Sequence, residues 1–563
     1  MDHTWRHPRD RLLNDASESA LLIGIDFGTT FSGAAWAWSK RVENINIITN
    51  WDSVLHLNRE NEKAPSEIYY GKGTDGVSWG YGIPLEAESF KWFKLLLVDE
   101  GDLREDVRKS LQIKRVRKML VDHGKTAVEV VADYLRLLWQ HIIKSIERER
   151  GSKSASGLPF KPAFLSSETE KMFTNAGDIF VICDAGGGTV DIISYEIEST
   201  APVVLKECVE GDGKLCGAIF LDEEFEKFIR QLMGKKWMEL RKGSIKKLMN
   251  DEWENGIKRS FDDDEKKEWT VTVPVDYLSS LRTRMSLHPL DNSNGEVPMS
   301  SGQFHLSRGH LRPIFEKVTS QIRRLVNDQI RAVRGAKKGR PPTAIILVGG
   351  FGRCRSLYQL LRDEHFADGI EILQPSGARP WTAICRGAVE KALSVTPGNR
   401  GLSIRVSSRI SRLNYGVITQ PIFIEGKHNE LDKKWSLKEL VFKAKDQIQW
   451  YLKRGENIGD ERPVRFHYYQ LLRNPLERNM FDVDLYRSAV ENAPTRKTQE
   501  VERLCVITCL CETPYDQLTI ITNAWNETFR KLSYDIEMTS TGASLDWAVY
   551  IDGKKQGQKN VEV

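Results

Sequence analysis

Short apolar runs alternate with polar, glycine-rich turns in the first 400 residues, and two of these runs share one pattern. Residues 20–30 read ALLIGIDFGTT and residues 178–189 read DIFVICDAGGGT. Each apolar run ends in an aspartate, a glycine-rich turn and a threonine. A second apolar run follows each, GAAWAW from Gly33 and VDIISYEI from Val190. The pattern predicts two β-hairpins whose tips present a carboxylate, unobstructed backbone amides and a hydroxyl group.

A third apolar run, AIILVGG at 344–350, also ends in glycines. The segment RCRSLYQLLRD follows from Arg353, with helical spacing of Leu357, Leu360 and Leu361. Strand, double-glycine turn and helix form a second kind of nucleotide-binding device, because the helix N-terminus lies close to the ligand. The chain contains no G-x-x-x-x-G-K-[ST] string, so this device differs from a Walker A loop.

The residue types at the two tips suit a phosphate chain and a magnesium ion. Glycines allow backbone N–H groups to approach phosphate oxygens, and threonine hydroxyls add donors. Asp26 and Asp184, at the strand ends, are candidate Mg²⁺ ligands through its bound water. A single copy would be read as an ordinary glycine-rich hairpin, but two matching copies favour a nucleotide site. The candidate phosphate-binding residues are Gly28, Thr29, Thr30, Gly186, Gly187, Gly188 and Thr189.

Further patterns divide the chain. Residues 126–150 predict an amphipathic helix, helical spacing recurs near 220–235 and 309–334, and 151–162 reads as a loop. TPGNRG at 396–401 has the composition of a boundary. Beyond it, alternating segments predict a β-rich module, namely TQPIFIE, VRFHYYQ, LCVITCLCE and DWAVYID. The apolar face of the first helix consists of Val131, Leu135, Leu138, Trp139, Ile142, Ile143 and Ile146.

Composition indicates a soluble, multi-domain protein. The 563 residues carry a formal net charge of +4, which gives no case for nucleic-acid binding, and no apolar run reaches the length of a membrane span. Residues 1–19 read as a disordered leader without an apolar signal core. Cys505, Cys509 and Cys511 fall on one face of a predicted strand, so buried thiols are favoured over a metal site. We therefore expect a cytoplasmic protein.

IDFGTTFSG, CDAGGGTVDI and LVGGFGR, in this order, resemble the phosphate and adenosine motifs of the actin, sugar-kinase and 70-kilodalton heat-shock superfamily. The chain is most similar to divergent, fungal-type heat-shock-70-like proteins, over roughly residues 20–395. The resemblance implies an α/β fold with a two-lobed actin-like (ribonuclease-H-like) ATPase domain. The implied division is a leader at 1–19, a first lobe at 20–178, a second lobe at 179–395 and the β-rich module at 396–563.

The resemblance also assigns roles to residues. It implies ATP and Mg²⁺ as cofactors, with the adenine base near a glycine pair and three basic side chains: Gly349, Gly350, Arg353, Lys258 and Arg259. Asp26, Asp184 and a lysine of ESFKWFKLLL match catalytic positions. Lys94 is preferred for that lysine, whereas Lys91 is read as a solvated residue of an amphipathic helix.

Several departures from the family bear on activity. Relatives place a further strand, a helix and an acidic motif before the second hairpin, but here GLPFKPAFLSSETEKMFTNAGD runs almost directly into it. Glu168 or Glu170 is the nearest substitute for the acidic residue. The first lobe is thus predicted to be shortened at 151–178, either because the protein is degenerate or because the gene model omits coding sequence. Asn255 also replaces an acidic residue before Lys258.

Three functions remain open at this point. The first is an ATP-binding heat-shock-70-like protein with slow or impaired ATPase activity and a chaperone or regulatory role. The second is a catalytically dead pseudo-ATPase that acts as a scaffold or nucleotide sensor. The third is a small-molecule kinase of the same superfamily, although no segment supplies its catalytic base. The linker GLSIRVSSRISRLNYGV is basic where relatives have an acidic linker, and no lid is recognisable. The sequence itself identifies no client protein and no co-chaperone.

Overall fold

The structure is a computed structural model of the whole chain. Predictions for 1–19, for Glu168 and Glu170 and for most of 151–178 fall outside the part that it describes. The described residues are 20–39, 44–53, 61–71, 76–98, 108, 110–150, 160–163, 175–282, 297–375, 377, 379–394, 405–459, 463–474, 480–540 and 544–562.

The chain is of mixed α/β type and divides into two compact units. Unit 1 comprises residues 1–194 and 211–404, and unit 2 comprises residues 195–210 and 405–563. Unit 1 carries the α-helices α1 (Leu111–Asp122), α2 (Ala127–Arg150), α3 (Ile219–Met233), α4 (Lys242–Lys247), α5 (Lys258–Ser260), α6 (Val275–Arg282), α7 (Arg308–Ala336), α8 (Arg355–His365) and α9 (Arg379–Ser394).

The strands follow the same chain order, and β10 and β11 each have residues in both units. Those that lie wholly or partly in unit 1 are β1 (Leu21–Phe27), β2 (Phe31–Trp38), β3 (Asn46–Ile47), β4 (Ala64–Pro65), β5 (Glu67–Tyr70), β6 (Val77–Trp79), β7 (Phe90–Lys91), β8 (Phe160–Ala163), β9 (Ile179–Ala185), β10 (Val190–Thr200), β11 (Val203–Lys214), β12 (Glu268–Thr272), β13 (Met299–Ser300), β14 (Gln303–Ser307), β15 (Ala344–Val348) and β16 (Glu371–Leu373).

The first predicted hairpin is the centre of one sheet, ordered β3-β2-β1-β8, with β4 paired to β2. β1 and β2 are antiparallel and Asp26 lies opposite Gly33. β8 pairs with β1 in parallel. The reading of 151–162 as a loop is therefore wrong for residues 160–162, because they belong to this strand, and 151–159 lie outside the described part.

Side-chain alternation along β1 explains how this sheet is covered on both faces. Leu21, Ile23 and Ile25 are buried in a cluster with residues of α2. Leu22 points to the other face and packs in a cluster with residues of α9. Because the side chains of a strand alternate, one apolar run supplies both cores.

The amphipathic helix predicted at 126–150 is confirmed as α2. Thr126 and Glu129 cap its start reciprocally: the Glu129 carboxylate accepts from the Thr126 N–H at 2.8 Å, and the Glu129 N–H donates to Thr126 Oγ1 at 3.2 Å. Leu138, Ile142 and Ile146 are fully buried as predicted. Val131, Leu135, Trp139 and Ile143 are partly buried instead, because the face is centred on Val130 and Tyr134.

The second predicted hairpin belongs to another sheet of unit 1, in which β16, β15, β9 and β10 are successive neighbours. β15 is parallel to both β9 and β16, and Val348 lies opposite Asp184. α3, α7 and α8 contribute buried residues to the core on this sheet. The helical patterns predicted near 220–235 and 309–334 are confirmed as α3 and α7.

Unit 2 is rich in β-structure, as the alternation beyond residue 400 predicts. Its sheets include β21-β18-β24-β25 and β23-β27-β28-β29. Its own strands are β17 (Arg405–Ile410), β18 (Asn414–Thr419), β19 (Lys433–Ser436), β20 (Val441–Ala444), β21 (Gln447–Leu452), β22 (Asn457–Gly459), β23 (Val464–Leu472), β24 (Met480–Ser488), β25 (Glu502–Leu510), β26 (Thr519–Thr522), β27 (Thr528–Ser540), β28 (Ser544–Ile551) and β29 (Lys554–Glu562).

Three of the four predicted strand segments of unit 2 are strands. VRFHYYQ lies in β23, LCVITCLCE overlaps β25 and DWAVYID overlaps β28. TQPIFIE is not a strand, because β18 ends at Thr419 and only an isolated bridge at Ile422 follows. Cys509 is buried and Cys505 is partly buried within β25, and Cys511, directly after the strand, is buried as well, so the expectation of buried thiols is confirmed for Cys509 and Cys511.

In the described part of the chain, no helix combines the length and the apolar character that crossing a membrane would require.

Candidate functional site

The two hairpin tips face each other within unit 1. A Cβ atom added to Gly187 would lie 2.1 Å from Oγ1 of Thr30, and one added to Gly188 would lie 2.8 Å from Oγ1 of Thr29. Real Cβ atoms do not approach other atoms so closely, so only glycine fits at these two positions. The second tip is closed by a hydrogen bond from the Gly186 N–H to the carbonyl oxygen of Thr189, at 2.9 Å.

The remaining tip residue, Gly28, is constrained by its own hairpin. An added Cβ would lie 2.3 Å from the carbonyl oxygen of Phe31. The Ser66 hydroxyl donates a hydrogen bond to the Gly28 carbonyl oxygen at 2.7 Å, which links the first tip to Ser66. The structure therefore brings together all seven glycines and threonines that the sequence singled out at the tips.

The double glycine after β15 reaches the same place. Gly349 has a positive φ of 81°, and an added Cβ would lie 2.4 Å from Oδ1 of Asp184. An added Cβ on Gly350 would lie 2.2 Å from the ring of Trp381, at the start of α9. Strand, turn and helix follow as predicted, with β15 and α8 on either side of a short 3₁₀ turn, Phe351–Arg353. Trp381 was not predicted as a site residue.

The environment of Asp184, at the second tip, disfavours the charged form of its carboxyl group. Burial raises the pKa of Asp184 to about 6, and the negative charges of Asp191 and Asp26 add to this rise. The positive charges of Lys63 and Lys94 oppose it. These four charged groups are thus close enough to act on Asp184. Sequence reasoning missed Asp191, although it lies in the VDII run directly after the second tip.

Asp26, the second predicted metal ligand, already has a cation beside it. The Lys63 ammonium group donates a hydrogen bond to Oδ2 of Asp26, and both side chains are buried. This arrangement does not fit a magnesium ion bound through both Asp26 and Asp184, because an ammonium group occupies one of the two carboxylates. Sequence reasoning missed Lys63, because its partner Asp26 lies 37 residues away in sequence and no local pattern links the two.

The two candidate lysines of ESFKWFKLLL have different partners, and neither lies in the predicted helix. The Lys94 ammonium group donates to the carbonyl oxygen of Phe27 at 2.7 Å, directly beside the first tip. Lys91 instead forms an ion pair with Glu67 at 2.9 Å. The predicted amphipathic helix is wrong here, because Lys91 ends β7 and Lys94 lies in a five-residue 3₁₀ helix, Phe93–Leu97.

Lys258, predicted near the base, is enclosed by carboxylates instead of facing a ligand. Its ammonium group donates to Asp222 at 2.7 Å and to Glu254 at 2.6 Å, and the residue is 8 % exposed. Burial alone would lower the pKa of Lys258, but the two carboxylates outweigh burial and raise it. The helix before it is a π-helix, Leu248–Ile257. Its Trp253 donates from Nε1 to the same Asp222 oxygen at 2.7 Å.

Arg259 and Arg353 are the other two basic residues predicted near the base. In contrast to Lys258, both have exposed side chains. Burial of part of Arg353 lowers its pKa, and the positive charge of Arg259 lowers it further, so the two guanidinium groups lie within electrostatic range of each other. Burial raises the pKa of Tyr81 to about 12, while Arg259 opposes the rise. Two planar cations near a partly buried tyrosine suit a planar ligand.

Comparison with known proteins supports part of the resemblance. Residues 409–563 match a family model described as a domain of unknown function, DUF8568. The human heat shock 70 kDa protein 12A is 22 % identical over 528 residues, covering 74 % of this chain and 75 % of that protein. The mouse protein of the same name is 23 % identical with equal coverage.

A shorter match is found with the human heat shock 70 kDa protein 12B, which is 24 % identical over 265 residues, or 45 % of this chain and 36 % of that protein. The chain is thus distantly similar to heat-shock-70-like proteins over about three quarters of its length.

Proposed function

We propose that this chain is a heat-shock-70-like protein that binds ATP between the two hairpin tips and hydrolyses it slowly or not at all. The observation that carries the proposal is the direct apposition of Gly187 and Gly188 to Thr30 and Thr29. Two tips that carry glycine backbone and threonine hydroxyls, placed against each other, form a cradle for a chain of phosphates.

The proposed base position lies at Gly350, Arg259 and Arg353. Arg259 and Arg353 are mutually close, exposed guanidinium groups, and such groups stack on aromatic rings. Lys258 is not part of this proposed contact, because its ammonium group is saturated by Asp222 and Glu254. In the finer proposal, the two sheets of unit 1 are the two lobes of an actin-like ATPase of the divergent, fungal-type branch, with the first lobe shortened.

Hydrolysis is proposed to be slow because the attacking water lacks its full set of groups. Phosphoryl transfer depends almost entirely on positioning and on charge stabilisation. The acidic motif of relatives is missing from the sequence, and Asp26 is engaged by Lys63. Binding tolerates a modest misplacement, whereas a misplacement of about 1 Å can cost a factor of order 10² in rate.

The same ion pair favours the alternative of a pseudo-ATPase that acts as a scaffold or nucleotide sensor. An aspartate held by a buried lysine is not free to organise a reacting centre. The two proposals agree on nucleotide binding and differ only in turnover.

Calorimetry with ATP and ADP on the full chain tests nucleotide binding, and a single-turnover assay with purified protein tests hydrolysis. Specific binding of either nucleotide supports the proposal, and its absence refutes it. Slow turnover separates the impaired ATPase from the pseudo-ATPase, for which no turnover is expected. Turnover as fast as in intact heat-shock-70 relatives would show that the missing acidic motif is dispensable.

A further inference from the structure

Lys63 lies at the centre of the candidate site, with both ends of its side chain held in place. Its ammonium group is hydrogen bonded to Oδ2 of Asp26, and the two side chains are 8 % and 7 % exposed. The same nitrogen lies 4.4 Å from the centre of the Trp381 ring. Its methylene stem passes Gly33, where an added Cβ would lie 2.8 Å from Lys63 Cγ. The Lys63 side chain is therefore closely packed along its whole length.

Because the Lys63–Asp26 ion pair is buried, it disfavours a metal ion at Asp26. A buried charge that loses its partner is strongly destabilised, since water no longer solvates it. A magnesium ion at Asp26 would either expel the ammonium group from its site beside Trp381 or place a second cation against the first. Both alternatives are unfavourable, so Asp26 is a poor place for a divalent ion as long as Lys63 is present.

We propose that Lys63 is the resident cation of the phosphate site, holding Asp26 in place of a metal ion and presenting an ammonium group to the phosphates of a bound nucleotide. The proposal rests on the proposed function, because it requires nucleotide to bind between the tips. It goes further by stating that nucleotide affinity depends little on Mg²⁺.

The surrounding charges are consistent with this role. Lys63 and Lys94 both act on Asp184 from within electrostatic range, so two ammonium groups converge on the space beside the tips. Lys94 is anchored to the Phe27 carbonyl and Lys63 to Asp26, 37 residues away in sequence. Ammonium groups fixed in this way act as point charges toward phosphate oxygens.

The test measures nucleotide affinity by calorimetry in millimolar Mg²⁺ and in EDTA. For the wild type, the dissociation constants of ADP in the two buffers are expected to agree within about threefold. Lys63→Met frees Asp26, so affinity in EDTA is expected to fall about tenfold or more while Mg²⁺ restores part of it.

Lys91→Met is the matched control. Lys91 is also paired with a carboxylate, that of Glu67, but its side chain is 39 % exposed. Its removal is expected to leave the affinity in both buffers unchanged. A loss of EDTA binding in Lys91→Met equal to that in Lys63→Met would overturn the assignment, because the effect would then reflect overall charge.

A second readout needs no nucleotide. The melting temperature of the wild type is expected to be the same with and without millimolar Mg²⁺. The melting temperature of Lys63→Met is expected to be lower than that of the wild type without Mg²⁺ and to rise when Mg²⁺ is added. Asp26→Asn combined with Lys63→Met removes both charges and is expected to be insensitive to Mg²⁺.

The outcomes separate the two proposals. Tight nucleotide binding that vanishes in EDTA for the wild type overturns the role of Lys63 and leaves the proposed function standing. No nucleotide binding in either buffer refutes the proposed function and, with it, the presentation of Lys63 to phosphates. The melting experiment then still decides whether Lys63 excludes metal from Asp26: stabilisation of the wild type by Mg²⁺ alone shows that it does not.

Discussion

At the scale of single residues, the lysines around the candidate site show how strongly burial and partners differentiate one residue type. Lys63 and Lys258 are buried against carboxylates, Lys94 is fixed to a backbone carbonyl, and Lys91 is a partly exposed ion-pair partner. The sequence indicated Lys94 and Lys258 by position in motifs. It could not show that Lys258 is enclosed by two carboxylates or that Lys63 is buried, because Asp222 lies 36 residues from Lys258 and Asp26 lies 37 residues from Lys63.

Asp184 is expected to make folding stability depend on pH. With its pKa raised from 3.8 to about 6, the folded protein binds a proton that the unfolded chain releases. Stability therefore falls as pH rises from about 4 to about 6, and the cost of the buried charge remains above that range. Asp184→Asn removes the charge, so it is expected to stabilise the protein by about 3 kcal/mol near pH 7 and to have little effect near pH 4.

Urea denaturation of the wild type and Asp184→Asn across this pH range measures the difference directly. An offset between the two proteins that stays constant with pH would contradict the raised pKa.

Lys258 is expected to be a structural residue. Lys258→Met leaves the carboxylates of Asp222 and Glu254 buried without their cation, which is expected to cost about 3–5 kcal/mol of unfolding free energy. Lys227→Met is the matched control, since its 2.7 Å ion pair with Glu224 has a lysine that is 49 % exposed; it is expected to cost less than about 1 kcal/mol. Equal losses of stability in the two variants would show that burial of the Lys258 pair is unimportant.

At the scale of elements, periodicity identified most of the helices and strands around the site. α2, α3 and α7 follow the 3.6-residue repeat, and the two hairpins follow the apolar–glycine–apolar pattern. The failures have physical causes. In ESFKWFKLLL, Phe90 and Phe93 are fully buried, so tertiary packing selects a strand and a 3₁₀ helix over a helix that its spacing would permit.

The hairpin tips themselves predict a steric requirement for glycine. Gly187→Ala places a Cβ 2.1 Å from Thr30 Oγ1, so the tips must separate. We expect a loss of about 1–3 kcal/mol in stability, as for other overpacked sites, together with loss of the proposed nucleotide binding.

Gly335→Ala in α7 is the control, because nothing lies within 4 Å of its added Cβ. Alanine is expected to stabilise that helix by up to about 1 kcal/mol and to leave nucleotide binding intact. Thermal denaturation and calorimetry on both variants check the pair. A Gly187→Ala protein with unchanged stability would show that the tips do not meet in solution.

At the scale of the whole molecule, the β-rich unit is assembled from two distant segments, residues 195–210 and residues 405–563. The change in composition near 396–401 marked a boundary for the second segment only. Strand β17 pairs in parallel with β11, and no local pattern announces a pairing between residues some 200 positions apart. The two aspartates, the tips and the double glycine were predictable because each is local; the assembly of unit 2 was not.

Glu207 is a buried residue that joins the two segments of unit 2. Its side chain is fully buried, and its carboxylate accepts from the Ile410 N–H and from Arg412, each at 2.9 Å. Glu207→Ala leaves that N–H without a partner, so a loss of about 2–4 kcal/mol is expected.

Glu210→Ala on the same strand is the control. Glu210 pairs with Arg454 at 3.0 Å and is 30 % exposed, so its loss is expected to cost less than about 1 kcal/mol. Calorimetric unfolding of the full chain distinguishes the two variants. If Glu207→Ala melts like Glu210→Ala, the buried contact does not hold the segments together.

The π-helix before Lys258 has a consequence for how this chain is aligned with its relatives. A π-turn closes its hydrogen bond over five residues, where an α-turn spans four, so a helix can absorb an inserted residue there. Position by position, Asn255 counts as the loss of an acid, yet Glu254, one place earlier, carries the carboxylate that meets Lys258. We propose that an alignment guided by structure through Leu248–Ile257 would match Glu254, and not Asn255, to the acidic position of relatives.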